Sequence, residues 1–406
     1  MSAQKKIVVV VRQRIVSKSN GSSRYLISIL EYLKSCGHEL EIVWPLEATF
    51  GRWPFLFLSG DVTQFSKLRW RAGFRVGNFV FSKNPKIYLL ALIALIDRLL
   101  LKSGLIKRSI TKKAPSSLTA PVGDADRRFV ESVARSADGV LFDYAFSMRL
   151  AGTWLNSKPS LVLMHDLFSK RDSEFTQQGL ADNYGAISRD EEMSLLSQAG
   201  GIVAIQEDEA QEVRRALPNA YIGIAPVAME VAGAAQPGND DLLLFVGSNA
   251  EPNLIGIRWF LENVWPLLKE QRPTVRLEIA GSCCHELMTQ PGVSLLGVVP
   301  DLKPIYARAG VVISPLTVGS GLKVKLIEGL AAGKAMVVTP TTLQGVPALS
   351  GLVSVAEDPA NFANETSRLL AETELRSAIG VHALKYMRTH FSPDRAYDWI
   401  GRYFSG

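Results

Sequence analysis

The sequence predicts an α/β protein built from two successive parallel-sheet halves. Three observations carry that prediction. Short, unbroken Val/Ile/Leu runs such as "KIVVVV", "ELEIVW", "SLVLMHD" and "GIVAIQ" alternate with helical stretches, as strands buried on both faces do. The composition then shifts over 230–241, "EVAGAAQPGNDD", a small, polar, Gly/Pro-containing linker candidate, and the alternation begins again beyond it. Finally, 406 residues are too many for one ordinary core.

The first half opens with a strand at 6–11. Its apolar run is five residues long, short of the roughly 7–15 of a secretory signal. A loop through Asn20 and Gly21 leads to the helix "RYLISILEYLKSCG", where Leu26, Ile29, Leu30 and Leu33 recur at helical spacing until Gly37 stops it. The strand "ELEIVW" follows. Further strands are expected at "GVLFDYA", "SLVLMHD", "GIVAIQ" and "YIGIAPV", with helices over 186–198 and 207–217. In the second half, "LLLFVGS", a helix from Leu254 to Lys269, "VRLEIAG", "VSLLG", "VVISPL", a glycine-opened helix, "MVVTP", "LVSVA" and a helix over 359–372 succeed one another. Ligands of such sheets bind at the carboxyl ends of the strands.

Charge and cysteine usage narrow the setting. The three cysteines are Cys36 and the vicinal Cys283 and Cys284, which make neither a disulfide framework nor a zinc spacing and suit a reducing cytoplasm. The net charge of +6 is concentrated: residues 61–113 carry twelve Lys or Arg against two Asp, and a basic patch implies an anionic partner. Within it, Asn84 and Pro85 open the helix "NPKIYLLALIALIDRLLLKSGLIKR" as N-cap and first helical residue. Its apolar run, Ile87 to Ile96, is half of the roughly 20 residues that span a bilayer. Two readings stay open: a core helix with a solvated basic end, or a surface that docks on an anionic membrane.

The stretch "GSGLKVKLIEGLAAGKAMVV" concentrates the chemistry. A strand leads through "TVGSG" into a helix, whose first turn offers free N–H groups and a positive dipole to an anion. Gly319 and Gly321 let the backbone approach closely, Lys323 and Lys325 add charge, and Glu328 a turn further in suits a ribose hydroxyl. The arrangement fits a nucleoside diphosphate held without metal. His165 ends "SLVLMHD" at the expected crevice lip, with Asp166 beside it. "DAD" at 124–126 is read as a helix start in preference to a metal motif, and no full Gly-x-Gly-x-x-Gly opens a helix.

"SPLTVGSGLKVKLIEGLAAGKAMVVTP" resembles the nucleotide-sugar signature of glycosyltransferase family 4. "LLFVGSNAEPNLIGIRWFLENVWPLL", "EIAGS", "LLGVVPDLKPIYARAGVVISP" and "TTLQGVPAL" continue the likeness in order, as do "NGSSRYLISILEYLKSCGHELEIV", "LVLMHDLFS" and "EEMSLLSQAGGIVAIQEDEAQEV" in the first half. It covers most of the chain and is thin between about 47 and 135. Ser320 stands where the family often has the first of two glutamates, and Ser248 and Asn249 stand where a basic residue is frequent. Phosphate neutralisation then falls to Lys323 and Lys325.

The resemblance implies the GT-B fold: two Rossmann-like domains facing a central cleft, with a C-terminal helix crossing back to the N-terminal domain. The expected division is 1–232, with the basic insertion 61–113; 238–385, the nucleotide-sugar domain; and 386–406, the returning helix. It implies His165, Lys325 and Glu328 as catalytic, and Asn20, Gly21, Gly247, Ser248, Val298, Val299, Gly319, Ser320, Gly321 and Lys323 as donor-binding, with Val298 and Val299 at the base. No cofactor or metal is expected. A UDP- or GDP-sugar would be the co-substrate, and a glycan or lipid-linked glycan the acceptor, received on the N-terminal side near Trp70, Phe74, Phe79 and Phe81. The expected activity is transfer with retention in cell-surface polysaccharide or glycoconjugate synthesis. The expected setting is the cytoplasm, with peripheral inner-membrane contact through 61–113 and no nucleic acid. A sugar-nucleotide epimerase on the same fold, or a non-catalytic nucleotide-sugar scaffold, is the alternative.

Overall fold

The structure is a computed structural model that describes residues 4–17, 21–106, 108–111, 116–177, 187–319 and 322–406. The chain forms two compact units. The first comprises Met1–Ile205, Glu209–Ala225 and Tyr397–Gly406; the second comprises Gln206–Asp208 and Pro226–Ala396.

The strands of the first unit are Lys6–Val10 (β1), Glu39–Trp44 (β2), Phe55–Phe57 (β3), Lys67–Trp70 (β4), Gly73–Val76 (β5), Phe79–Ser82 (β6), Gly139–Asp143 (β7), Ser160–Met164 (β8), Gly201–Ala204 (β9) and Ile222–Ile224 (β10). Seven of them make one parallel sheet in the order β10-β9-β8-β7-β1-β2-β4. Val8, Val10, Val140, Phe142 and Val162 are wholly buried in its core, which is why these strands read as continuous apolar runs. The first helix, Gly21–Ser35, ends where Gly37 turns to φ +89° and His38 N–H reaches back to the Leu33 carbonyl, a glycine-dependent helix stop.

The region between β2 and β7 departs from a plain insertion. β4 joins the main sheet beside β2, and Trp70 stacks flat on Trp44, centroids 4.5 Å apart. Trp70 is therefore core, not part of the exposed aromatic side expected from the sequence. β3, β6 and β5 form a separate antiparallel sheet, followed by the helix Pro85–Lys102 with Asn84 capping the Lys86 N–H. Asp126 sits in the third position of the helix Asp124–Ala134. Its carboxylate accepts from Gly123 N–H and pairs with Arg71 at 2.6 Å, so it reaches back from the third helical position to the N-cap N–H and does not serve as the N-cap itself.

The second unit holds Asn239–Val246 (β11), Arg276–Ala280 (β12), Val293–Gly297 (β13), Ala309–Ser314 (β14), Ala335–Val338 (β15) and Ser354–Val355 (β16), ordered β13-β12-β11-β14-β15-β16 and all parallel. The expected helix over 254–269 starts at Glu251 and passes through a wider turn at Phe260–Val264 before Trp265–Gln271. Pro266 has no N–H to return to the preceding turn, so the ladder must open there.

The stretch 230–241 is tied to the second unit along its length. Ala232 N–H donates to Ala331, Arg388 to the Ala232 and Gly233 carbonyls, Lys334 to Gln236 and Arg376 to Pro237. Small residues there let buried Lys334 and Arg376 reach main-chain oxygens. The tail Tyr397–Gly406 clusters with the first unit because glycines leave room for its rings: a Cβ on Gly223 would lie 2.5 Å from Trp399, and one on Gly139 2.6 Å from Phe404. Trp399 also donates to the Ile224 carbonyl at 2.8 Å.

One glycine decides how closely β11 and β12 end together. Gly281 has φ +111°, and a Cβ there would lie 2.1 Å from the Gly247 carbonyl oxygen. Gly281→Ala should destabilise the second unit by at least ~2 kcal/mol, through both the backbone conformation and the collision. Gly351→Ala, in open space, should stay within about 0.5 kcal/mol. Urea denaturation of the two variants makes the comparison.

Candidate functional site

The second sheet changes winding direction between β11 and β14. From β11 the chain goes outward to β12 and β13, then returns to β14 on the opposite side. In such sheets the loops leaving the two neighbouring strands diverge at this point, and ligands bind beyond their carboxyl ends. Gly247 and Ser248 follow β11 directly. The 315–323 segment follows β14 and delivers the helix Val324–Ala331, with Lys323 at its N-cap position. Lys325 is thus the second helical residue and Glu328 the fifth, half-buried and one turn further in.

Asn253 binds these pieces together. Its amide nitrogen donates to the Ser248 carbonyl at 3.0 Å and the Ser248 hydroxyl at 3.1 Å, and its amide oxygen accepts from the Lys325 ammonium. That ammonium lies 4.5 Å from the centroid of Phe245, the penultimate residue of the β11 run. Gly319, at φ +120°, packs against Pro252, where a Cβ would meet the proline ring at 3.2 Å. Lys323 is buried and donates to the Gly319 carbonyl at 3.3 Å.

The electrostatics follow from that crowding. Burial lowers the pKa of Lys325 to about 7, opposed by its interaction with Cys283 and reinforced by the nearby charge of Lys323. Burial pushes the Cys283 thiol up to about 12, so it is a neutral packing group and not a nucleophile. An ammonium that gives up its proton so readily has no acidic partner among the described residues, and a bound anion would supply one.

Val298 and Val299 lie past Gly297 at the same carboxyl edge, two strands from β11. Val298 is exposed and Val299 half-buried. Gly21 is the first residue of the helix Gly21–Ser35. Asn20, Ser320 and Gly321, named from the sequence, lie outside the described residues.

In the first unit, His165 follows β8 and is fixed on every side. Its Nε2 is 2.7 Å from the Asp143 carboxylate, and Asp143 ends β7 wholly buried. Gln13 donates to the other Asp143 oxygen at 2.9 Å, and Ser22 donates to Gln13 at 3.1 Å. The Tyr144 ring stacks on the imidazole at 3.9 Å, with Tyr25 edge-on at 5.2 Å. Tyr144 has φ +68°, the one described non-glycine residue with positive φ, and residues held this way cluster at functional sites. Asp166 pairs with Arg171 at 3.0 Å; it does not join this group.

Sequence reasoning missed Asn253, Asp143 and Gln13. Asn253 was visible as the Pro-Asn that opens the helix after "GSNAE". Asp143 was visible only as the polar end of "GVLFD", a position with no distinctive spacing.

Lys325 yields a stability test. The unfolded chain keeps this proton up to about pH 10.5 while the folded one releases it near 7, so this residue's contribution to stability rises with pH across that window. Lys325→Met should therefore stabilise the protein most at pH 7 or below, with a gain that shrinks by pH 9. A gain independent of pH in chemical denaturation would contradict the depressed ammonium.

Residues 240–372 match the family model of glycosyl transferases group 1. A protein from the cps region of Klebsiella pneumoniae, described as an uncharacterized 44.6 kDa protein, is 23% identical over 172 residues, 39% of this chain and 44% of that protein; the match spans less than half of the relative's length. Among solved structures, Anabaena HepE in complex with UDP aligns over 98% of this chain and 99% of its own at TM-score 0.62 and 12% identity. A mutant of S. aureus TarM in complex with UDP aligns over 99% and 100% at 0.67 and 10% identity. WaaG, a glycosyltransferase involved in lipopolysaccharide biosynthesis, aligns over 98% and 100% at 0.57 and 13% identity. The chain is thus a two-domain α/β protein with the GT-B fold of these structures, and its residues 240–372 are similar to the glycosyl transferases of group 1.

Proposed function

We propose that this protein is a glycosyltransferase that moves a sugar from a nucleoside-diphosphate donor, a UDP- or GDP-sugar, to a hydroxyl of a glycan or lipid-linked glycan, with retention of the anomeric configuration. The observation that carries the reading is the Ser248–Asn253–Lys325 cluster at the β11/β14 switch point. Its cation has no counter-charge among the described residues and sits at the start of a helix, where free N–H groups already favour an anion. UDP in the HepE and TarM structures supports a nucleotide at this edge.

Each residue then has a part. Lys325, with Lys323 and the first helical N–H groups, holds the diphosphate, and Glu328 accepts from the ribose. Val298 and Val299 flank the base beyond β13, with Gly247, Ser248 and Gly319 lining the approach. Negative charge grows on the nucleoside diphosphate as its bond to the sugar breaks, and donors already in place stabilise that charge without reorganising. Binding the anion also restores the proton to Lys325, so its charge is complete when the leaving group needs it. His165 contacts the donor sugar, held by Asp143 in one tautomer. Asn20, Gly21, Ser320 and Gly321 belong to the same proposed donor contacts. The setting is the cytoplasm at the inner membrane face, in cell-surface polysaccharide or glycoconjugate synthesis, with membrane contact through 61–113.

Thermal stabilisation by UDP, GDP, ADP and dTDP tests the site. A nucleotide at 100 times its Kd should add about 2.7 kcal/mol to wild type and far less to Lys325→Ala and Glu328→Ala; stabilisation by none of the four would overturn the reading. In the first unit, Asp143→Asn should cost at least ~10-fold in kcat, since a group held off its productive position loses rate steeply. Nucleotide stabilisation should persist, and an unchanged kcat would remove Asp143 from the mechanism.

A further inference from the structure

The helix Pro85–Lys102 has an unusual relation to the protein that carries it. Its buried residues are Ile87, Ala91, Ala94 and Asp97, one narrow stripe, and two of the four are alanines. The rest of its circumference is apolar and uncovered: Leu89, Leu90, Leu92, Ile93, Leu95 and Ile96 are each 44–60% exposed. A helix that is hydrophobic all round is normally buried. These six side chains alone leave on the order of 500 Å² of apolar surface, as much as the largest patch of an ordinary monomer, roughly 300–600 Å².

The sheet just before this helix repeats the pattern. In its register Phe57 faces Phe79, Phe55 and Phe74 both face Phe81, and Val76 faces Phe79, so all six lie on one face. The opposite face, with Leu56 and Val80, is the buried one. Phe55, Phe57, Phe74, Val76 and Phe79 are 40–58% exposed, and their rings tile edge to edge around Phe79 and Phe81. An antiparallel sheet with one solvated face would carry polar residues there. Helix and sheet are joined by the short turn at Asn84, and Tyr88 donates to the Ser82 carbonyl at 3.0 Å.

Charge identifies what covers this surface. Lys67, Arg69 and Arg71 are taken up by Glu39, Glu41 and Asp126. Lys83 and Lys86 at the sheet–helix junction and Lys102 and Arg108 at the far end are exposed. The acidic residue of the helix, Asp97, is turned inward and accepts from Ser109, Thr111 and the Ile110 N–H. Asp97 shares with Arg52, Trp53, Arg98, Ser109 and Thr111 the lining of a cavity of about 190 Å³, where the Arg98 guanidinium lies 5.8 Å from the Trp53 ring. Leucine and phenylalanine in the middle, cations at both ends and no exposed acid between them is the pattern of an interfacial element on anionic lipid. No described helix is long and apolar enough to cross a membrane.

We infer that the segment from Phe55 to Lys102 forms a monotopic docking element: the leucine face of Pro85–Lys102 and the phenylalanine face of the small sheet enter the headgroup–acyl boundary of an anionic phospholipid bilayer. The inference rests on the membrane contact in the proposed function and gives it a depth and a lipid class. It does not depend on the sugar-transfer site.

Flotation of the full chain with phosphatidylcholine vesicles, and with the same vesicles containing phosphatidylglycerol, tests it. Wild type should float at least ~10-fold more with the anionic vesicles. L92E/I96E and F57E/F79E, all at exposed positions, should lose flotation while keeping the wild-type melting temperature and nucleotide stabilisation. If wild type floats with neither vesicle, the inference and the membrane contact both fall, while nucleotide stabilisation still reports on the donor site separately. If the glutamate variants float like wild type, insertion is overturned and only an electrostatic contact survives. If wild type stays with neither vesicle and runs as a dimer that L92E/I96E dissociates, the face belongs to a second copy, and the inference is overturned.

Discussion

The candidate site depends on an ammonium with too little water around it. Lys325 is pressed against the Phe245 ring and held by a single amide oxygen from Asn253. Burying a charge without an opposite one is costly, and here the cost appears as a pKa lowered to about 7. The surrounding structure serves to keep that side chain in place. Gly247 and Gly281 let two strand ends approach within the reach of a carbonyl, Gly319 lets the β14 loop lie on Pro252, and Asn253 spans the gap. Each is a small or amide side chain at a position where a larger one would push the loops apart.

The first unit solves a different problem with different means. His165 carries no isolated charge; it is oriented through a carboxylate, an amide and two aromatic rings. Because Asp143 ends β7 and Gln13 lies just beyond the neighbouring strand β1, the sheet helps to set the position of the imidazole. The positive φ of Tyr144 is the strained point that brings its ring over the imidazole face. A parallel sheet concentrates such residues because all its strands end on the same side.

The region between β2 and β7 breaks the rule that the rest of the fold obeys. Elsewhere the apolar residues of a strand or helix meet another layer; there, one sheet face and most of a helix meet none among the described residues. Local sequence is consistent with helix and strand throughout, with a proper cap at Asn84 and Pro85. The exception is therefore one of packing and not of secondary structure, which is where function rather than stability tends to show.

Much of the fold was legible in the residues alone. Unbroken Val/Ile/Leu runs alternating with helical stretches argue for parallel strands covered on both faces, so the class, the repetition of two sheets and the glycine-opened helix at Val324 could be read directly. The basic region could be located but not resolved: β3 to β6 are only three or four residues long, and such runs carry no period of their own. Nor could the sequence separate Trp70, stacked in the core, from Phe74 and Phe79, which stay exposed, because all three are aromatic neighbours along the chain. Lys325 was visible as a cation near a glycine loop, whereas its partners were not. Asn253 lies 72 residues away and Asp143 lies 22 residues before His165, and no local spacing encodes such pairs. The sequence by itself determined which elements form, because periodicity and capping act within a few residues. Only the tertiary structure decided which polar groups meet and which apolar faces go uncovered, because those depend on strand order and register.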